Sequence, residues 1–379
     1  MRAAPGIRVM MTTDTVGGVW IYATTLARSL AAAGFEVLLV TLGPRPTSEQ
    51  RAMVQRCRGV SLIETDLQLE WQDPAGTDIC KAETVLGAIA DRFAPHLVHL
   101  NSFREGMFDW AVPTVVVAHS CVNSWADACG DKDAFSGDEW KAYSLFVEAG
   151  LRNVDVWVAP TRSFVQQMAA LYGFSAKGKV IRNGVDFGPD ACESKRPFIL
   201  SAGRLWDKAK NLSVVSSAAA GVDWPVRIAG PADVQRRTVS APAGNCEFLG
   251  EISHAALLNE MRSASIFVSP ALYEPFGLSV LEAAGAGCAL LLSDISTFRE
   301  LWDGAALFFN PRDPDQLSCS LRSLCRDELQ RARLQRAAAE RAQRYTLSRT
   351  VHGYRSLYSS LMAGEHGISS LGQCGEMLA

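Results

Sequence analysis

The fold is decided by the stretch Ser265–Asp294, which reads SIFVSPALYEPFGLSVLEAAGAGCALLLSD. Its first residues, Ser265–Ser269, are apolar with β-branched members, and this pattern predicts a buried strand. A turn-rich loop follows, and the small and apolar residues of Gly277–Ala286 predict a helix. Ala289–Ser293 then predicts a second buried strand. The stretch therefore predicts a strand–helix–strand unit of a parallel sheet.

Two glutamates lie in this unit, with seven residues between them. Glu274 falls where the strand ends and the helix begins, which is the usual ligand position of an open parallel sheet. Glu282 is the only charged residue between Gly277 and Ser293, and burying it is costly unless hydrogen-bond donors meet it. Ribose hydroxyls would supply donors, and the backbone N–H groups at the helix start would face an anion. We expect a site for a sugar, a diphosphate and a ribose; the alternative is a solvated loop residue and a polar helix edge.

The composition predicts a globular protein of two domains. The chain has 379 residues, of which 48% are hydrophobic and 20% charged. A chain of this length is too long to fold around one ordinary hydrophobic core. No apolar run reaches about 18 residues, so we expect no membrane-spanning helix. The net charge of −3 argues against a nucleic-acid partner and is compatible with peripheral membrane contact.

The cysteines and the N-terminus indicate a reducing compartment. The ten cysteines are scattered, without a CxxC pair or a zinc-type spacing. The first residues, MRAAPGIRVMM, lack the apolar core and the cleavage site of a signal peptide. We therefore predict free thiols, no metal site and a cytoplasmic location.

The first half of the chain opens with a predicted strand, loop and helix. Ile7–Thr13 predicts the strand, and the helix Val19–Ala33 follows a loop that contains Gly17 and Gly18. The glycine pair would let a ligand approach the backbone, or would merely permit a tight turn. A GxGxxG motif is not formed, because no third glycine follows at the right spacing, and this weakens a dinucleotide interpretation.

Polar residues follow two later predicted strands. Asn101 ends the strand 97–101, and His119 comes directly after the β-branched strand 114–118. Side chains at the carboxyl ends of parallel strands are well placed to contact a ligand. The alternative for His119 is a loop cap that bonds only to backbone. The polar stretch 121–143 predicts a ligand-binding loop or a surface excursion.

The second half of the chain carries a cationic loop after its first predicted strand. The loop 203–211, GRLWDKAKN, holds three cations within seven residues and precedes a predicted helix. Arg204 and Lys210 suit a diphosphate, since arginine can grip two oxygens and lysine acts as a point charge. Lys208 competes with Lys210 for this role, and the alternative for the whole loop is a solvated basic surface.

Taken in order, these motifs resemble the retaining glycosyltransferases of the GT-B fold, specifically family 4. The resemblance covers nearly the whole chain, and the Glu-x7-Glu spacing within EPFGLSVLEA is its most specific part. The matching residues are Gly17 and Gly18, His119, Asn183-Gly184-Val185-Asp186, Gly203-Arg204-Leu205 with Lys210, and Glu274-Pro-Phe-Gly through Glu282.

The resemblance implies two Rossmann-like, doubly wound α/β domains that face each other across a cleft. Residues 1–187 would bind the acceptor, and residues 188–345 would bind the nucleotide sugar. A helix at about 346–362 would cross back onto the first domain, and residues 363–379 would form a disordered tail.

The resemblance also implies roles for single residues. Glu282 would hold the ribose, Glu274 the hydroxyls of the donor sugar, and His119 would approach that sugar. Lys210 follows Arg204 at a longer spacing than is usual in the family, which keeps Lys208 as a competitor. The expected catalytic residues are His119, Arg204, Lys210 and Glu274. The expected donor-binding residues are Gly17, Gly18, Gly203, Arg204, Lys210, Leu249, Gly250, Glu274, Pro275, Phe276, Gly277, Leu278 and Glu282, and the expected acceptor-binding residues are Asp14, Asn101, His119 and Ser120.

The implied reaction moves a sugar from a nucleoside diphosphate to a hydroxyl group with retention of configuration. UDP is the favoured nucleotide and GDP the next, and the acceptor would be a glycan, a small glycoside, a natural product or a lipid-linked sugar. Arg204, Lys210 and the helix start would stabilise the leaving diphosphate, with no metal or other cofactor. Other interpretations are an NAD-type oxidoreductase, a nucleotide-sugar epimerase, a phosphorylase, or a sugar-binding subunit without activity.

Overall fold

The computed structural model describes residues 6–173, 178–188, 194–231 and 245–364. The tail predicted at 363–379 lies, beyond residue 364, outside the described residues. Within the described ranges the protein consists of two parallel sheets, each flanked by helices.

The first half of the chain forms a sheet of seven described strands. They are β1 (Arg8–Thr13), β2 (Glu36–Thr41), β3 (Val60–Glu64), β4 (Leu97–Leu100), β5 (Thr114–Val117), β6 (Val156–Ala159) and β7 (Gly178–Val180). Their spatial order is β3-β2-β1-β4-β5-β6-β7, and every pairing is parallel. Val9 and Met10 are neighbours in β1 and point to opposite faces of the sheet, so each belongs to a different hydrophobic core.

The second half forms a smaller sheet of six described strands, again with parallel pairing throughout. They are β8 (Arg196–Ala202), β9 (Val226–Ala229), β10 (Cys246–Gly250), β11 (Ala264–Ser269), β12 (Ala289–Ser293) and β13 (Leu307–Phe309). Their spatial order is β10-β9-β8-β11-β12-β13. The prediction of two doubly wound α/β units is confirmed.

Helices cover both faces of each sheet. Those that follow strands of the first sheet are α1 (Gly18–Ala32), α2 (Ser48–Gln55), α3 (Ile79–Phe93), α4 (Val122–Cys129), α5 (Asp138–Asn153) and α6 (Arg162–Tyr172). Those of the second are α7 (Ser213–Ala219), α8 (His254–Ser263), α9 (Leu278–Gly285), α10 (Ser296–Trp302), α11 (Pro314–Arg326) and α12 (Glu328–Ala342). A last helix, α13 (Leu347–Met362), ends the described chain.

The chain passes between the two units twice, at adjacent positions. Val185 forms a parallel bridge with Thr346, so the segment that leaves the first unit lies beside the segment that returns to it. A Cβ on Gly184 would come within 2.3 Å of the Thr346 carbonyl oxygen, which explains the glycine in the NGVD turn. After this crossing, Tyr354 and Tyr358 of α13 pack into the core of the first sheet. The division of the chain at residue 187 stays a prediction.

Each sheet reverses its strand order at one point. The chain winds from β1 outward to β3 and then continues on the other side with β4; the second sheet does the same between β8 and β11. Ligands of open parallel sheets bind in the crevice at such switch points, outside the carboxyl ends of the strands. The loops after β1 and β4, and those after β8 and β11, therefore form the two places where a site is expected.

One predicted loop is wrong. The stretch 121–143 holds α4, a 3₁₀ turn at Lys132–Phe135 and the start of α5. Helix α4 is only eight residues long, and isolated helices of that length are unstable in water. Contacts with the second unit support it, since Ser124 Oγ donates to Tyr273 Oη at 2.8 Å and Trp125 Nε1 donates to Asp207 Oδ1 at 3.2 Å. A sequence window around α4 does not contain these partners.

Candidate active site

The loop 203–211 after β8, here called the phosphate loop, is organised around Asp207. The Asp207 Oδ2 accepts a hydrogen bond from Arg204 Nη2 at 2.5 Å, and its Oδ1 accepts one from Ala209 N at 3.0 Å. The Arg204 guanidinium also lies over the Trp206 ring, with Cζ 5.2 Å from the ring centroid. These contacts fix the direction of the arginine predicted to bind a diphosphate.

Lys210 and Glu274, which were each predicted to contact the donor, pair with each other. The Lys210 Nζ lies 2.5 Å from Glu274 Oε2, while Glu274 Oε1 accepts a hydrogen bond from Gly277 N at 3.1 Å. Asn211, in a left-handed conformation with φ 52°, donates to the carbonyls of Pro270 and Pro311 at 3.0 and 2.7 Å. The phosphate loop and the EPFG turn are thereby held together at the switch point of the second sheet.

The competing lysine points elsewhere. Lys208 Nζ lies 2.5 Å from Asp131 Oδ1 of the first unit, and its side chain is 51% exposed, against 22% for Lys210. Because Lys208 bridges the two units and Lys210 faces Glu274, the geometry favours Lys210 as the lysine beside a diphosphate.

The EPFG turn places the start of α9 against the first unit. Gly277 has φ 85° and precedes α9, and Phe276 is buried in the core of the second unit. The Pro275 carbonyl accepts a hydrogen bond from Thr161 Oγ1 at 3.1 Å, and Thr297 Oγ1 donates to the Glu274 carbonyl at 2.6 Å. The turn therefore has support from both units.

Glu282 lies apart from Glu274, in a cavity of about 260 Å³ between the units, here called the junction cavity. Its Oε1 is 2.8 Å from His254 Nε2, and this partnership raises the pKa of His254. Leu278 lines the same cavity, together with residues of α1 and of the NGVD turn. Sequence reasoning missed His254, although it directly follows the helix cap Ser253. Leu249 and Gly250, at the end of β10, are not among the residues described as lining this cavity.

At the switch point of the first sheet, His119 and Asn101 are directly bonded. Asn101 Nδ2 donates to the Thr12 carbonyl at 2.7 Å, so Asn101 Oδ1 is turned toward His119 and accepts from its Nε2 at 2.7 Å. The proton of His119 is therefore on Nε2, and Nδ1 is the acceptor. Burial lowers the pKa of His119 to about 3, which keeps the imidazole neutral. The bond to a side chain replaces the backbone cap considered from sequence.

The loop after β1 reaches the phosphate loop of the other unit. Burial raises the pKa of Asp14 to about 6. The hydrogen bond from Val16 N and the positive charge of Arg204 both lower this pKa but do not cancel the effect of burial. Gly17 has φ 80°, and a Cβ there would lie 3.4 Å from Arg204 Nη1. A Cβ on Gly18 would meet nothing within 4 Å. Of the glycine pair, only Gly17 is thus in close approach to Arg204.

A second cavity, of about 80 Å³, opens at the β1–β4 switch point and is here called the β1–β4 cavity. It brings together all four residues predicted to bind the acceptor with two that sequence reasoning missed. Glu70 and Trp71 come from the segment 51–93, in which the sequence gives only weak strand and helix signals. The six residues, among others in its lining, are Asp14, Glu70, Trp71, Asn101, His119 and Ser120.

Comparison with known proteins gives one class. Residues 16–188 match the family model described as Glycosyltransferase Family 4, and residues 187–341 match the model described as Glycosyl transferases group 1. A glycogen synthase of Mycobacterium tuberculosis (strain H37Rv) is 26% identical over 371 residues, covering 86% of each chain. A phosphatidyl-myo-inositol mannosyltransferase of Mycolicibacterium smegmatis is 32% identical over 185 residues, covering 44% of this chain and 48% of that protein.

Solved structures agree on the fold. A sucrose-phosphate synthase from Thermosynechococcus elongatus superposes with a TM-score of 0.77 at 18% identity, over 94% of this chain and 100% of that one. Anabaena HepE in complex with UDP-glucose superposes with a TM-score of 0.74 at 15% identity, over the same shares. The chain belongs to the GT-B glycosyltransferases, and it is an enzyme that transfers sugars.

Two absences hold for the described ranges, 6–173, 178–188, 194–231 and 245–364. None of the helices in these ranges combines the length and the apolar character needed to cross a bilayer. The same ranges contain no cluster of three or more His, Cys, Asp or Glu side chains suited to a metal ion. The predicted independence of a metal stays a prediction.

Proposed function

We propose that this glycosyltransferase moves a sugar from a nucleoside diphosphate sugar to a hydroxyl group with retention of configuration, and that UDP is the favoured nucleotide and GDP the next. The observation that carries the proposal is the convergence of Arg204, Lys210 and Glu274 at the second switch point, beside Gly17 of the first unit. Two cations and one carboxylate at the carboxyl ends of parallel strands suit a diphosphate joined to a sugar.

Charge development on the leaving group explains the two cations. As the bond from the anomeric carbon to the diphosphate breaks, negative charge grows on the phosphate oxygens, and Arg204 and Lys210 stabilise it. Each cation is paired with a carboxylate, Arg204 with Asp207 and Lys210 with Glu274. A diphosphate competes for both cations, which frees Glu274 to accept hydrogen bonds from the sugar hydroxyls.

The anomeric configuration is retained if the acceptor attacks the anomeric carbon from the same face of the sugar ring as the one from which the leaving group departs. Glu274 positions the sugar in this proposal and is not a nucleophile, and a diphosphate oxygen takes the proton of the acceptor hydroxyl. His119, neutral and with Nδ1 as its acceptor, approaches the sugar from the first unit. The anomeric configuration of the product, measured by NMR, tests this point: an inverted product contradicts it.

Glu282 is the proposed ribose ligand. It faces the junction cavity with a carboxylate whose partner, His254, is a side chain that ribose hydroxyls can replace. Glu282→Ala should weaken nucleotide binding by about tenfold or more, because hydrogen bonds to a charged group are lost. Isothermal titration with the nucleotide measures this, and an unchanged affinity would remove Glu282 from the ribose site.

The proposed reaction takes place in the cytoplasm and needs no metal. We expect full turnover in excess EDTA, because the two cations already supply the charge that a metal would supply. Activity that disappears in EDTA and returns with Mg²⁺ or Mn²⁺ would contradict this part of the proposal.

A thermal-shift panel tests the donor site as a whole. It contains UDP, GDP, ADP, dTDP, their sugar conjugates and NAD(H). A ligand that binds only the folded protein adds about 2.7 kcal/mol to the free energy of unfolding at about 100 times its Kd. If one nucleoside diphosphate raises the melting temperature and the others do not, the result identifies the base that the donor site prefers. The proposal would be contradicted if NAD(H) alone shifted the melting temperature, or if no nucleotide shifted it.

A further inference from the structure

We infer that Glu70 and Trp71 form an acceptor subsite for an uncharged, polyhydroxylated acceptor, a neutral sugar or glycoside, and that they select against anionic acceptors. The inference rests on the proposed sugar transfer and names the acceptor class of that reaction. It assigns a role to two side chains of the β1–β4 cavity that no motif of the sequence marks.

Glu70 is fixed by backbone donors. Its Oε2 accepts hydrogen bonds from Phe103 N at 2.9 Å and from Arg104 N at 3.0 Å. Among the described residues, Oε1 has no hydrogen-bond partner, and the side chain lines the cavity. Burial and the nearby Glu105 raise the pKa of Glu70 to about 7. A partly buried carboxylate that lines a cavity and keeps one oxygen without a partner among the described residues is suited to accept a hydroxyl hydrogen.

The backbone that holds Glu70 rests on a buried ionic network. The side chain of Arg104 pairs with Asp73 at 3.0 Å and with Glu105 at 3.3 Å, and Glu105 in turn accepts from Ser102 Oγ at 2.5 Å. These bonds fix the turn after β4, which carries Asn101 into the same cavity. The carboxylate and the amide are therefore presented from a rigid support, as a specific site requires.

Trp71 supplies an apolar surface next to this carboxylate. It lines the cavity and is still 46% exposed, so the ring lies at the cavity rim. A sugar ring has an apolar face of C–H groups and an edge of hydroxyls, and a site that binds it needs one aromatic surface and a few directed polar groups. Trp71 provides the aromatic surface, and Glu70, its neighbour in the chain, provides a polar group.

The charge of the lining decides between neutral and anionic acceptors. Asp14 and Glu70 are its carboxylates, and the lining described for this cavity includes neither lysine nor arginine. Arg104, behind Glu70, is already paired with carboxylates. Above the pKa values of Asp14 and Glu70, about 6 and about 7, both side chains are ionised, and a phosphate or a phospholipid headgroup would meet like charge here, which electrostatic complementarity disfavours. A volume of about 80 Å³ holds several waters, or the hydroxyls at one end of a sugar.

The cavity is adjacent to the donor side of the cleft. Asp14 lines it and is close enough to Arg204 for that cation to oppose the rise of the Asp14 pKa. Gly17, three residues further on, borders the Arg204 guanidinium. A hydroxyl bound beside Asp14 and His119 is thus placed near the diphosphate that is to take its proton.

Acceptor competition with the full-length enzyme tests the inference. The donor is the nucleotide sugar identified by thermal shift, and the readout is release of the nucleoside diphosphate with detection of the product. The acceptors are glucose, methyl glucosides, sucrose and maltooligosaccharides, against glucose 6-phosphate, fructose 6-phosphate and phosphatidylinositol vesicles. We expect the neutral sugars to accelerate release. Acceleration by the anionic acceptors alone, or by no acceptor, overturns the inference.

Variants separate the subsite from the donor site. Glu70→Gln and Trp71→Ala should each raise the acceptor KM by about tenfold or more, while the Kd for the nucleotide, which binds on the other unit, stays unchanged. Trp71→Phe should recover part of the loss, since it keeps an aromatic face. An acceptor KM that stays at the wild-type value in both variants overturns the inference. Absence of donor binding in the wild-type enzyme would instead sink the proposed function itself.

Matched controls lie in the same unit. Met53, on α2, is 45% exposed, nearly the same as Trp71, and lines neither described cavity. Glu83 is an exposed carboxylate on α3 and also lines neither cavity. Met53→Ala and Glu83→Gln should leave the acceptor KM unchanged; an equal rise in these controls would mean that the effect of Glu70→Gln and Trp71→Ala is not specific to the cavity.

Discussion

Asp207 determines how the main cation of the site is held before a substrate arrives. Its two carboxylate oxygens accept from Arg204, Ala209 and, across the cleft, Trp125. The guanidinium is therefore already directed and would need little reorganisation to meet the proposed diphosphate, which is the condition for strong electrostatic stabilisation of a leaving group. Sequence reasoning identified Arg204 from its type and its place after a strand, but Asp207 was hidden among the other polar residues of the loop.

Removing the Arg204 guanidinium should affect the rate much more than the fold. Arg204→Ala should lower kcat by about 10²- to 10³-fold, the effect of removing one preorganised donor to a developing charge. Steady-state kinetics measure the change, and the matched control is Arg51→Ala. Arg51 has nearly the same side-chain exposure, 36% against 37%, and also pairs with a carboxylate. A near-native kcat in Arg204→Ala would remove this residue from the mechanism.

Glu70 should reduce stability at neutral and alkaline pH. Burial and the nearby Glu105 raise the pKa of Glu70 from 4.5 to about 7 in the folded protein. Stability is therefore lost as pH rises from about 4.5 to about 7, and the loss is complete and constant at higher pH. Glu70→Gln, which stays neutral, should therefore raise the Tm at pH 8 and leave it nearly unchanged at pH 4.5. Calorimetry at the two pH values measures this. A variant less stable than the wild type at pH 8 would show that Glu70 is a structural group.

At the scale of single elements, the start of α1 shows which glycine matters. Gly17 has φ 80° and its Cβ position faces Arg204, whereas Gly18 begins the helix in open space. Sequence alone identifies the pair and leaves a ligand approach and a tight turn as equal alternatives. Both the positive φ and the neighbour from the other unit are properties of the folded chain, and no spacing rule contains them.

The two glycines should respond differently to a methyl group. Gly17→Ala should cost about 1 kcal/mol in the free energy of unfolding, because a side chain is strained in this conformation. A shift of this strained loop, which contacts Arg204, should also lower kcat. Gly18→Ala is the matched control and should be neutral or stabilising, since alanine is the better helix residue. Urea denaturation and steady-state kinetics on both variants measure this. Equal effects would contradict the distinction.

The elements differ in how far the sequence predicted them. The strands β1, β11 and β12 lie within one residue of their predicted ends, because buried parallel strands are short apolar runs bounded by turn residues. Helices α4 and α10 escaped prediction, since both are short and depend on tertiary partners. The residues of the site at strand ends were predictable from position, whereas Glu70, Trp71 and His254 reach the cavities from segments without a motif.

For the whole molecule, the relation between the two units depends on side chains far from the chemistry. Glu300 of α10 accepts hydrogen bonds from Arg162 N at 2.8 Å and Ser163 N at 2.6 Å, at the start of α6 in the first unit. It also pairs with Arg182 at 2.6 Å. These contacts hold the pKa of Glu300 below its usual value although burial opposes them. A carboxylate of the second unit therefore caps a helix of the first, next to the Thr161–Pro275 contact at the EPFG turn.

Loss of this cap should loosen the pair of units as a whole. Glu300→Ala should lower the free energy of unfolding by about 2 kcal/mol, the cost of removing a charged acceptor from several donors. Because the folded pKa of Glu300 is depressed, this contribution is present above pH 4.5 and is lost as pH falls through the folded value, so wild type and variant should converge at low pH. Calorimetry at pH 7 and pH 3 measures the convergence, and small-angle scattering should show a larger radius of gyration in the variant. Arg152→Ala, which removes an exposed ion pair within α5, is the control; it should lower the free energy of unfolding by no more than about 0.5 kcal/mol and leave the radius of gyration unchanged. An unchanged radius of gyration in Glu300→Ala would mean that the other contacts between the units suffice to hold them, and that closure of the cleft does not depend on this cap.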